Sequence, residues 1–218
     1  MARVSNRRSV LPGRYASPTC GSEEENYAIT CLMSILKVTR LGHPVLRQTA
    51  KPVAPEAIAT PAIQQLIDDM IETMREYDGV GIAAPQVHQS LQIAIIEAAH
   101  NTRYPQAPEI PLTVLINPEI ISRAPEERMG WEGCLSIEGL RGLVPRARKL
   151  SARWLDRTGR PVSQDVEGFF AVVFQHEVDH LKGKVFVDRM ADLSTLTHLL
   201  EYERYWLHRD ETEDDEGH

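Results

Sequence analysis

The stretch Phe169-Phe170-Ala171-Val172-Val173-Phe174-Gln175-His176-Glu177-Val178-Asp179-His180-Leu181-Lys182-Gly183 decides how this chain is read. Its apolar start, Phe169 to Phe174, is the longest uncharged apolar run in the sequence. That run is far short of the roughly 20 residues a membrane span needs. The whole stretch predicts a helix from about Phe169 to Lys182, with Gly183 as its C-cap. On such a helix His176 and His180 lie one turn apart on one face, so both imidazoles can reach a single metal ion. Glu177 stands beside the first of them, where a carboxylate suits general-base work. Phe169, Val172 and Val173 fall on the same side as His176, so the histidines emerge from an apolar wall rather than a solvated face.

Working outward, Thr60 is placed to cap a helix that Pro61 opens. Ile63, Leu66, Ile67, Met70, Ile71 and Met74 form its apolar stripe, and Asp78-Gly79 stops it near Tyr77. Leu91 to Ile96, Leu112 to Ile116 and Leu150 to Leu155 read as strands, and Arg157-Thr158-Gly159-Arg160 as a turn between two strands. A last helix is expected from about Leu193 to His208. With no regular alternation of strands and helices, the pattern is that of an α+β domain.

The chain has 218 residues, is 42% hydrophobic and 25% charged, and so can build one sizeable core. Its net charge of −7 is concentrated at the end, where Asp210, Glu211, Glu213, Asp214, Asp215 and Glu216 meet no Lys or Arg. The rest is close to neutral, which excludes a large basic field for nucleic acid. Cys20, Cys31 and Cys134 form no CxxC pair, so a reducing compartment, the cytoplasm, is expected. Residues 1–32, with Arg3, Arg7, Arg8 and Arg14 but no helical periodicity, read as a dispensable extension, with organellar targeting the alternative. The division expected is therefore extension 1–32, catalytic domain 33–209 and acidic tail 210–218.

A catalytic metal needs a third protein ligand and an open position. The extended HExxHxxGxxH pattern fails, because Phe186 stands where its third histidine belongs. Glu201 or Glu203 on the last helix would make a metallopeptidase of the thermolysin kind. Cys134, in Glu132-Gly133-Cys134-Leu135-Ser136, would instead join a thiolate to two imidazoles, a set suited to Fe(II) or Zn. A purely structural zinc site is the non-catalytic alternative.

A third segment, Gly79-Val80-Gly81-Ile82-Ala83-Ala84-Pro85-Gln86, completes a pattern. GVGIAAPQ, EGCLS and QHEVDH, in this order, resemble the three motifs of the peptide deformylases, and the similarity runs from about Ile35 to Met190. The resemblance implies an α+β fold, with mixed antiparallel sheets around the helix that carries HEVDH. It also implies a C-terminal helix of the kind typical of Gram-negative bacterial enzymes. The implied activity is removal of the formyl group from the N-terminal formyl-methionine of nascent polypeptides, with release of formate. Cys134, His176 and His180 would hold the metal and water its fourth position, while Glu177 would move the water's proton to the departing amine. Gln86 and the Leu135 N–H would meet the oxyanion, and Gly81, Ile82, Phe169, Val172 and Val173 would bind substrate. The family uses Fe(II) in cells and accepts Zn, Ni or Co. It also pairs Glu132 with Arg146, here expected as a partly buried ion pair.

Two positions depart from the family. His88 stands where a glycine is usual. The C-terminal helix, basic and associated with ribosome docking in bacterial relatives, here carries Glu201 and Glu203 before an acidic tail. Ribosome docking through it is not expected.

Overall fold

The computed structural model describes residues 34–98 and 108–207; the extension 1–32 and the tail 210–218 lie outside the described residues. After a single turn, α1 (Pro55–Ile58), Pro61 opens α2 (Pro61–Glu76). The α2 stripe is buried as the spacing predicts, with Ile63, Ile67, Met70, Ile71 and Met74 in the core and Leu66 packed against it. Thr60 holds the N-cap position but does not cap with its side chain. Its hydroxyl donates backwards to the Ala57 carbonyl at 2.6 Å, closing the preceding turn instead.

Two antiparallel sheets follow. The larger runs β1-β2-β3-β6-β7, from β1 (Gly81–Ala83), β2 (Ile93–Ala98), β3 (Ile110–Arg123), β6 (Lys149–Leu155) and β7 (Pro161–Glu167). The smaller runs β4-β5-β8, from β4 (Glu127–Cys134), β5 (Ile137–Ala147) and β8 (Thr197–His198). The three strands expected from apolar runs correspond to β2, the start of β3 and β6. The β6–β7 turn forms at Arg157–Arg160, where Asp156 accepts from the Thr158 and Arg160 N–H groups and Gly159 takes φ +83°.

Between the sheets runs α3 (Gly168–Leu181), packed against β1, β2, β5 and β7. Its sides are buried nearly all round, as befits a helix walled by strands. The Gln175 amide ties it to β5, donating to the Ala147 carbonyl at 3.0 Å and accepting from the Ala147 N–H at 3.3 Å. A Schellman closure ends it: Lys184 N–H donates to Asp179 and Gly183 N–H to His180. Gly183 sits at φ +71°, and a β-carbon there would lie 2.7 Å from the Arg47 carbonyl oxygen.

The end of the chain differs from its expected single helix. Asp192 accepts from Ser194 N–H and starts a short 3-10 turn, Leu193–Thr195. Thr197 and His198 then pair with Arg141 and Leu140 of β5. Only after His198 Nδ1 caps the Leu200 N–H does α4 (Leu199–Tyr205) begin. Ser194, Thr195, Thr197 and His198 are weak helix formers, and local capping and strand pairing take these first six residues instead.

Candidate active site

The larger sheet ends on β1 and the smaller on β4, and an open cavity lies where these two edges meet α3. Gly79, Val80, Gly81 and Gln86 line it on the β1 side, and Trp131 to Leu135 on the β4 side. From α3 come Phe169, Val172, Val173, His176 and Glu177. The wall read from helical spacing is therefore formed. Of the residues expected in the site, only Ile82 turns away: its side chain is fully buried in the core beneath α2.

Among the described residues, Cys134, His176 and His180 form a group able to hold a metal ion, with one ligand atom from each within 4.8 Å of the others. Cys134 Sγ lies 3.3 Å from His180 Nε2. Two ligands of one tetrahedral ion, bonded at their usual lengths, are separated by about 3.6 Å. Burial would push the Cys134 thiol up, but the charges of His180 and His176 and their hydrogen bonds hold it well below the usual thiol range. A thiolate with two imidazoles fits a divalent transition metal. Glu201 and Glu203 are exposed on α4 and stand outside this group.

Behind His176 lies a chain of buried charges. Glu132 Oε2 is 2.9 Å from His176 Nδ1, and both Glu132 oxygens accept from Arg146, at 2.7 and 3.0 Å. Arg146 also donates to Asp179 at 2.6 Å, and Asp179 takes two further bonds from Arg189, at 3.0 and 2.5 Å. The expected Glu132–Arg146 pair is thus present, each side chain 5% exposed, as one link in a longer chain. Burial pushes the Glu132 carboxyl up, yet the bonds from Arg146 and His176 bring it below the usual carboxylate range. A carboxylate on Nδ1 fixes the tautomer that leaves Nε2 free to coordinate.

Asp179 and Arg189 had no assigned role in the sequence. Asp179 carried one signal, lying three residues after His176 on the same helical face. Arg189 carried none, since it arrives only after the chain turns at Gly183.

Glu177 is 2% exposed, and its Oε2 has no hydrogen-bond partner among the described residues. Burial pushes its carboxyl up to about 7; Cys134 and Glu132 add to the rise while His176 and His180 oppose it. Gly81 leaves room for that carboxylate: a β-carbon there would lie 2.3 Å from Glu177 Oε1. Gln86 is fixed by accepting from Ala83 N–H at 2.8 Å, which aims its amide nitrogen at Cys134 Sγ and Ser136 Oγ, each 3.4 Å away. His88, just beyond, sits at φ +64° with its ring edge-on to His43. The turn is left-handed, a conformation that glycine adopts without strain.

Comparison with known proteins places this arrangement. The sequence profile of the family described as Polypeptide deformylase matches residues 35–195. The chain belongs to the peptide deformylase family. It is 48% identical over 164 residues to peptide deformylase 2 of Nostoc sp., covering 75% of this chain and 90% of that one. Against peptide deformylase 1 of Bordetella pertussis it is 46% identical over 157 residues, covering 72% and 88%. The Met-Ala-Ser-bound class I type b deformylase of Acinetobacter baumannii aligns with TM-score 0.71 and 42% identity, over 73% of this chain and all of that one. An actinonin-bound deformylase of Synechococcus elongatus aligns with TM-score 0.66 and 36% identity, over 78% and 85%. A peptide deformylase is a metal-dependent hydrolase that removes the N-formyl group from nascent peptides. No described helix is long and apolar enough to cross a membrane.

Proposed function

We propose that Cys134, His176 and His180 hold one divalent metal, iron(II) in the native enzyme, and that Glu177 carries the proton. The observation that supports this most strongly is the Glu177 carboxylate, buried beside the three-residue group with one oxygen unpartnered. A divalent ion held there supplies Lewis acidity, acidifying water and polarising a carbonyl.

The chain's own groups do the rest. Glu177 Oε2 accepts a proton from the water that attacks the formyl carbon, then returns it to the amine nitrogen as the C–N bond breaks. The products are formate and a free N-terminal methionine. A carboxyl held near 7 can serve in both directions close to neutral pH. The Gln86 amide and the Leu135 N–H donate to the developing oxyanion, each such donor contributing about 3 kcal/mol in comparable sites. Phe169, Val172 and Val173 bind the methionine side chain. Edge strands β1 and β4 flank the cavity and offer backbone groups to an extended peptide, with Gly81 and the Ile82 backbone on one side. Residues 33–209 suffice for this chemistry, which belongs to the cytoplasm where formylated chains emerge.

Formate release from formyl-Met-Ala-Ser, assayed anaerobically with Fe(II), tests the reading. Cys134→Ala is expected to lose both metal and activity. Retained metal with cleavage of internal peptide bonds would favour the metallopeptidase alternative instead.

A further inference from the structure

Trp131 lines the cavity on β4, three residues before Cys134, and its ring packs against two others. Tyr202 meets it with ring centroids 4.9 Å apart and a 56° tilt, and Trp206 at 5.6 Å and 49°. These two lie one turn apart at the end of the chain, and Trp206 N–H donates to the Tyr202 carbonyl at 2.8 Å. A helix as short as α4 does not persist alone in water. It is held by β8, which pairs with β5, and by the three rings. The C-terminal segment thus contacts a residue that lines the cavity.

Reach decides what that side chain meets. A strand advances about 3.3 Å per residue, so Trp131 lies roughly 10 Å along β4 from Cys134. An extended peptide with its formyl carbon at the Cys134 end brings its third residue level with Trp131. Phe169, two helical turns before His176, frames the other side of the same mouth. We propose that Trp131 is a specificity-determining residue selecting an apolar or aromatic third residue, and that Tyr202 and Trp206 are positioning residues that hold its ring. This rests on the extended binding mode proposed above.

The test compares kcat/KM for formyl-Met-Ala-Phe and formyl-Met-Ala-Asp, using the full chain loaded with metal and formate release as readout. Wild type is expected to favour the phenylalanine peptide by about tenfold, mostly through KM, the scale of one well-packed apolar contact. Trp131→Ala should bring the ratio close to one, while Trp131→Phe, which keeps an aromatic face, should retain most of it. Tyr202→Ala with Trp206→Ala should lower the ratio at least threefold at unchanged metal content, and Tyr202→Phe should restore it. A ratio untouched by Trp131→Ala overturns the proposal, as does an equal loss on both peptides, the mark of a merely structural role. So does a preference that moves at the second residue instead, read with formyl-Met-Phe-Ala against formyl-Met-Asp-Ala. A wild-type chain releasing no formate from any formyl peptide would overturn the catalytic reading itself, an outcome distinct from these.

Discussion

Replacing Glu132 by alanine cuts the buried charge chain at its centre. In the folded protein Glu132 and Asp179 balance Arg146 and Arg189, and the Glu132–Arg146–Asp179 section is almost wholly buried. Glu132→Ala leaves Arg146 with Asp179 alone, which already serves Arg189, and leaves His176 Nδ1 without its acceptor. Removing one partner of a buried pair costs about 3–5 kcal/mol, because the other charge stays behind uncompensated. At about 2–4 °C per kcal/mol for a domain of this size, the melting temperature should fall by roughly 6–20 °C. The same variant frees His176 to change tautomer, a change typically worth about 10–100-fold in metal affinity. Thermal denaturation followed by circular dichroism reads the first effect, and competition with a chelator reads the second. Arg153→Ala is the control. Its pair with Glu119 is more than half exposed on both sides, and such pairs contribute about 1 kcal/mol or less. There is also a pH signature. The folded Glu132 carboxyl lies below its unfolded value, so its contribution is complete above the ordinary carboxylate range and lost as pH falls through the folded value. Glu132→Gln should lack that acid-side loss. If Glu132→Ala melted like wild type and bound metal as tightly, the chain of charges would not be what holds His176.

Glu177→Gln should keep fold and metal but lose about 10²–10⁴ in turnover, since an amide accepts no proton; near-normal turnover would remove Glu177 from the mechanism. In metal-free protein the same substitution should raise stability. The folded carboxyl is pushed up to about 7, so wild type loses stability as pH climbs from its unfolded value to about 7, and the glutamine form does not. Equal melting curves at pH 8 would contradict this. Gly81→Ala should lower kcat/KM about 10²-fold, because its β-carbon would displace the buried end of the Glu177 side chain and press on Val173 Cγ1, 3.0 Å away; full activity would show that the carboxylate's place is immaterial. Iron-loaded enzyme should lose activity in air through oxidation of the Cys134 thiolate, and zinc should protect it; an iron form stable to prolonged aeration would speak against Cys134 as ligand. A chain spanning Met33 to Arg209 should keep kcat/KM within about tenfold of the full chain, a larger drop meaning that a terminus reaches the site.

What could be read from the sequence depended on how local the determining interaction is. α2 and α3 were legible because their apolar stripes repeat within a single element. β2 was legible because its apolar run is dense, and β6 because its buried residues alternate at Leu150, Ala152 and Trp154. β4 and β5 escaped notice because Gly130, Gly133, Gly139, Gly142 and Pro145 dilute any strand signal. Two of those glycines serve tertiary needs instead: a β-carbon at Gly133 would lie 1.5 Å from an Arg141 nitrogen, and one at Gly142 2.6 Å from the Met190 sulfur. β7 turns only Val162 and Val166 toward the core, with Gln164 between them, too weak an alternation to mark it. The last helix was over-read because the good helix formers from Leu199 onward were extended back to Leu193, while the partner that captures Thr197 and His198 lies more than fifty residues earlier on β5.

The candidate site divides along the same line. Two of its proposed metal ligands and the proton carrier come from five consecutive residues, so spacing on one helix was enough to bring them together. Cys134 required the combination of three motifs, since nothing near it in sequence shows that β4 runs past α3. Of the supporting charges only the Glu132–Arg146 pair was expected, through the family resemblance; Asp179 and Arg189 lay out of view, because the four residues come from four separate segments and meet only in the folded protein. Their arrangement accounts for the contrast between two buried carboxylates in one site. Glu132 takes three hydrogen bonds from cationic or proton-bearing partners and is held charged. Glu177 shares the same burial but keeps an unpartnered oxygen, and is held close to neutral-pH titration. Environment alone separates a carboxylate that positions a ligand from one poised to move a proton, and that environment is assembled by β4, β5 and the turn after α3 rather than by the HExxH spacing.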